Sequence, residues 1–132
     1  KRYKPAEEPL RKAVELSPDN EVANDTLAEN LYQISMNLGS EAKPGELIDV
    51  LREVVYFNPE HIEGHKDLSQ AYDDRKNGTR AINHSIITQR FLVESKRMKE
   101  LAKSRAGLEV LYKKYKTGPD EFKKVITPRK SY

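Results

Sequence analysis

One pattern limits the fold of this chain more than any other: a stretch reading as helix, Pro-marked turn and helix occurs twice at a constant offset. The later copy is Leu47 to Tyr72, LIDVLREVVYFNPEHIEGHKDLSQAY. Its Leu47, Leu51, Val54 and Pro59 are matched 41 positions earlier by Ala6, Leu10, Ala13 and Pro18. Its second half keeps the same offset, with Leu27, Ala28 and Leu31 preceding Leu68, Ser69 and Tyr72. A single hairpin of amphipathic helices cannot bury its apolar faces, whereas stacked copies share a continuous core. An in-register return of the unit therefore predicts an all-α solenoid.

Composition narrows the function classes. At 132 residues the chain is one domain. No apolar run approaches the roughly 18 residues that span a membrane. The absence of cysteine excludes disulfides, thiolate metal sites and a Cys nucleophile. The chain begins KRYKP without an initiator Met, so the expectation is a piece of a longer protein. Its net charge of +3 hides an asymmetry. Residues 1–94 hold 12 Lys/Arg against 17 Asp/Glu, whereas residues 95–132 hold 12 against 4. An acidic body precedes a basic end.

These signatures resemble the tetratricopeptide repeat (TPR) family over about Lys4 to Ile87. The first-helix pattern of that family is met by Leu27-Ala28-x2-Leu31 and Leu68-Ser69-x2-Tyr72. The second-helix pattern is met by Ala6-x3-Leu10-x2-Ala13-x4-Pro18 and Leu47-x3-Leu51-x2-Val54-x4-Pro59. The strings SPDN and NPEH stand where the inter-repeat Pro turn is expected. The resemblance implies a right-handed superhelix of antiparallel helix pairs. Its repeats would cover 4–18, 21–59 and 62–93, with 94–132 a basic capping extension. A 41-residue period exceeds the usual 34 of this family by about two helical turns. The surplus falls between Tyr32 and Gly45, which predicts a lengthened first helix and a loop from Gly39 to Gly45.

Further along, Asp19 or Asn20 can cap the helix opening at Glu21, and Asn77-Gly78 is a strong turn signal, with Thr79 the candidate cap beyond it. From Thr79 the repeat decays. The stripe Ile82, Ile86, Ile87, Phe91, Met98, Leu101, Leu108, Tyr112 and Tyr115 meets no Pro, and no Gly before Gly107. It reads as one long helix ending at Gly118-Pro119, in preference to two shorter ones. Pro119 to Val125 suggests one more short helix, and Thr127 to Tyr132 a loose tail.

Catalytic constellations are lacking. His61 and His65 have the i, i+4 spacing of helix-borne metal ligands, but His61 falls in the turn and no third ligand accompanies them. They read as one turn residue and one packed imidazole, and His84 as a helix-surface residue. Asp73 and Asp74 point about 100° apart on a helix, so they cannot flank one reacting atom. They read as solvated charge. Asn77-Gly-Thr and Asn83-His-Ser match the glycosylation triplet, which is short and common by chance. No phosphate loop, cofactor motif or metal motif is present, so the expectation is no enzyme, no cofactor and no metal.

What remains is surface. In tetratricopeptide arrays the first helices line a concave groove. The resemblance places Asp25, Glu29, Tyr32 and Gln33, then Glu63, Lys66, Gln70, Asp73 and Asp74, on that groove. Five of these nine are carboxylates, so a basic or mixed peptide or protein partner is expected, with Tyr32 the apolar contact. The Lys/Asn set with which some relatives clamp a C-terminal carboxylate is not reproduced. If the last helix projects beyond the repeats, Met98, Leu101, Leu108 and Tyr112 form a self-association stripe pointing to a homodimer. The function expected is protein–protein interaction. Two alternatives stand beside it: an accessory region of a larger enzyme such as a transferase, and nucleic-acid contact through residues 95–132, for which no motif is present.

Overall fold

The computed structural model describes residues 6–38 and 42–125, and among these it is entirely helical. The helices are α1 (Glu7–Leu16), α2 (Glu21–Asn37), α3 (Pro44–Phe57), α4 (Ile62–Asp74), α5 (Gly78–Glu94) and α6 (Met98–Lys114), followed by a 3-10 turn at Pro119–Phe122. Each helix packs chiefly on its neighbours in sequence. None of the helices is long and apolar enough to cross a membrane.

The 41-residue repeat is visible in the turns. After α1 the Ser17 N–H bonds to the Ala13 carbonyl, and Asn20 N–H to Ser17 at 3.0 Å. After α3 the same roles fall to Asn58 on Val54 and to His61 on Asn58, again 3.0 Å. Pro18 and Pro59 sit in these turns, where a missing N–H costs nothing. The next helix opens at an equivalent cap: Asn20 Oδ1 accepts from Ala23 N, and His61 Nδ1 accepts from Gly64 N. Asn20, not Asp19, is the cap.

Two apolar clusters make the core. Leu27, Ala28, Leu31 and Ile34 of α2 pack on Val50 and Val54 of α3, with Leu10 and Val14 of α1 alongside. The other gathers Ile48 and Leu51 of α3, Leu68, Ala71 and Tyr72 of α4, Ala81 and Ile82 of α5, and Leu108, Leu111 and Tyr112 of α6. Helix α3 serves both clusters from different faces. Each fully buried Leu or Ile stabilises the fold by about 2 kcal/mol through area removed from water.

The second half departs from the sequence reading. Residues expected to form one helix from 79 to 116 form two, separated at Ser95 to Arg97. Lys96 adopts φ 57°, while its N–H reaches Val93 and the Arg97 N–H reaches Leu92. This double bond is the Schellman turn, usually built on Gly. The same turn ends α4 at Lys76 (φ 61°) and α6 at Lys116 (φ 53°). Three lysines spaced by 20 thus punctuate the half that has no Pro turn. Because Lys accepts the left-handed conformation only at a cost, its type carries no stop signal.

Asn77, rather than Thr79, caps α5, accepting from Arg80 N at 3.2 Å. The expected lengthening of the first helix is visible, since α2 has 17 residues where α4 has 13. Residues 39–41 of the loop expected at Gly39 to Gly45, the start of the first helix at Lys4, and the tail from Thr127 lie outside the described residues, and the loop ends earlier than expected because Pro44 and Gly45 already belong to α3.

Candidate functional site

The residues expected to share one groove are divided between two places. Where α2 meets α4, Tyr32 donates its hydroxyl to Asp67 Oδ2 at 2.9 Å, and its ring lies 4.8 Å from that of His61. Since His61 Nδ1 accepts the Gly64 N–H, its Nε2 carries the proton and donates to Glu29 Oε1 at 3.1 Å. Gln33 donates to the other Glu29 oxygen. Burial, then the bond to Asp67, raises the Tyr32 pKa, and burial raises that of Asp67. Tyr32 and Glu29 therefore act as a seam between helices, leaving Asp25 exposed at the end of the row.

Behind α4 lies a second seam. His65 is 1% exposed and donates Nε2–H to the Pro59 carbonyl at 2.7 Å. Its bare Nδ1 then accepts from His84 Nδ1 at 3.0 Å. His84 also stacks on Tyr72, with centroids 5.7 Å apart. His65 is packed as its spacing predicts, but His84 is half-buried rather than a surface residue, and the two imidazoles join α4 to α5. Burial pushes both pKa values down to about 4. For His84, the adjacent His65, Arg80 and Arg52 push the same way.

The concave site lies between α4 and α6, with α5 as its floor. The cavity has a volume of about 500 Å³. Lys66, Gln70 and Asp73 come from α4, Ser85, Thr88 and Leu92 from α5, and Glu100, Lys103, Gly107 and Val110 from α6. Both ends are bridged: Arg97 reaches Glu63 at 3.4 Å, and Lys114 reaches Asp73 at 2.8 Å. Tyr115 adds its hydroxyl to the same Asp73 oxygen at 2.6 Å. Burial opposes ionisation of Asp73, yet the bonds from Lys114 and Tyr115 outweigh it and hold the carboxyl below its usual range. Asp73 is thus not solvated charge. Asp74 is exposed and accepts from Gln70. Among the described residues no group of three or more His and acidic side chains could hold a metal ion.

Of the nine groove residues expected from sequence, only Lys66, Gln70 and Asp73 line this cavity. The α6 wall is not legible in sequence, because no Pro or Gly separates the apolar stripe of α5 from that of α6 before Gly107. Most of the stripe expected to drive self-association is not at the surface. Leu101, Leu108 and Tyr112 are buried within the chain's own core, and only Met98 is exposed, at 62%. The C-terminal segment helps cover this region: Phe122 packs near Tyr112, and Arg90 donates to the Val125 carbonyl. A scan against protein-family models finds no match to the chain, and a search of curated proteins finds no relative.

Proposed function

We propose that this chain is a protein-interaction module that receives an extended segment of a partner protein in the α4–α5–α6 groove. The groove itself carries this reading: a preformed concavity floored by Ser85, Thr88 and Leu92, open to solvent, and bridged at both ends by ion pairs. A surface held by packed helices loses little entropy on binding. The finer fold, a tetratricopeptide-type right-handed superhelix with a basic capping end, is part of the proposal. Its support is the 41-residue return of turns and caps. On that reading α2, α4 and α6 are the first helices, and the concave surface belongs to them.

Site-specific photocrosslinking in cells tests the idea. A crosslinker at Val110, inside the groove, should capture a partner that one at Glu109, which lines a separate cavity beside Tyr112 and Phe122, does not. Equal capture from both positions would sink the proposal.

A further inference from the structure

The charges in the groove are not equally available. Every carboxylate at its walls already has a cation. Asp73 is held by Lys114 and Tyr115, and Glu100 by two bonds from Arg97 at 2.9 and 2.6 Å. Glu63, at the rim, is also taken by Arg97. Lys66 and Lys103, exposed on opposite walls, have no ion pair or hydrogen bond among the described residues. Both nonetheless line the same cavity as Glu100. The Glu100 carboxyl is held below its usual range by Arg97 first, and then by the fields of both Lys66 and Lys103.

Gly107 adds a steric observation. It sits inside α6 and lines the groove, yet a Cβ there would meet nothing within 4 Å. A glycine inside a helix weakens it relative to alanine. Neither the turn geometry nor the packing of this chain requires one here, in contrast to Gly78.

Resting on the groove reading above, we propose that the occupant is an acidic, extended segment of a partner protein. Its Asp or Glu carboxylates meet Lys66 and Lys103 from the two walls, and its main chain passes closest to α6 at Gly107. This departs from the basic or mixed partner expected from sequence, because the carboxylates at the cavity walls are taken up within the fold.

Fluorescence anisotropy on the 132-residue chain gives the test. The probes are three short labelled peptides alternating Ala and Leu with Asp/Glu, with Asn/Gln or with Lys, and a single-stranded oligonucleotide. The acidic peptide should bind best, and Lys66→Glu with Lys103→Glu should weaken it about tenfold. Lys113→Glu with Lys116→Glu removes the same charge outside the groove and should cost about threefold or less. Gly107→Ala should raise Tm by about 4 °C while weakening the acidic peptide. Equal losses from the two lysine pairs, or preference for the Lys peptide or the oligonucleotide, overturn the acidic assignment. Unchanged affinity in Gly107→Ala overturns the close approach. If the neutral or Lys peptide is lost on substituting the exposed Val110 in Val110→Arg, the groove reading survives without acidic specificity; if no peptide responds to Val110→Arg, the groove reading fails as well.

Discussion

At Gly78 a single hydrogen atom in place of a methyl decides the local structure. A Cβ there would stand 2.5 Å from the Tyr115 ring, the same ring whose hydroxyl reaches Asp73. The Asn77-Gly78 pair, a turn signal in sequence, is thus an N-cap followed by the seat for an aromatic ring 37 positions later. Gly78→Ala should cost about 2 kcal/mol by overpacking, read as a lower Tm, although alanine is the better helix former. The buried imidazoles set a second residue-scale outcome. His65 and His84 have folded pKa values near 4, below the ordinary 6.5, so the unfolded chain binds their protons first. Their stabilisation is complete above pH 6.5 and fades as pH falls towards 4. At pH 5 each imidazole should have lost on the order of 2 kcal/mol. Urea midpoints measured from pH 7 to pH 5 should fall, and should fall less in a His65→Gln, His84→Gln variant.

Among the elements, the three lysine-based turns mark where the fold accepts local strain. Each keeps a non-glycine residue at positive φ because two main-chain bonds and a buried Tyr72, Leu92 or Tyr112 hold the turn. Replacing Lys96 by Gly removes that penalty and should stabilise the chain by about 1 kcal/mol, raising Tm with little effect on peptide binding. A loss of stability instead would mean that Lys96 contributes something its backbone conformation does not explain. Helix α6 gains its position from such a turn together with Lys114 and Tyr115 on Asp73. One continuous helix would have left Lys103 and Gly107 without an opposing wall.

Over the whole molecule, packing between sequence neighbours leaves two core clusters joined through α3. Leu31→Ala in one cluster and Ile82→Ala in the other should each cost about 3 kcal/mol, and the double variant should show their sum. Hydrogen exchange should report each loss mainly in the half that carries it, as a linear array of nearest-neighbour contacts requires. Uniform loss of protection from either substitution would indicate one indivisible core.

What the sequence determined by itself was local in origin. Periodic apolar residues, Pro18, Pro59 and Asn20 specify helices, turns and a cap through bonds that span a few residues. The 41-residue repeat then marks helical units able to share a core. Tertiary structure decided which charges remain available and where the concave site lies. Asp73 finds Lys114 across 41 positions, Glu63 finds Arg97 across 34, and His65 finds His84 across 19. Such pairings arise only once the helices are placed, and residue type does not announce them. The same holds for Lys96, whose left-handed backbone comes from the turn it closes rather than from any preference of its side chain.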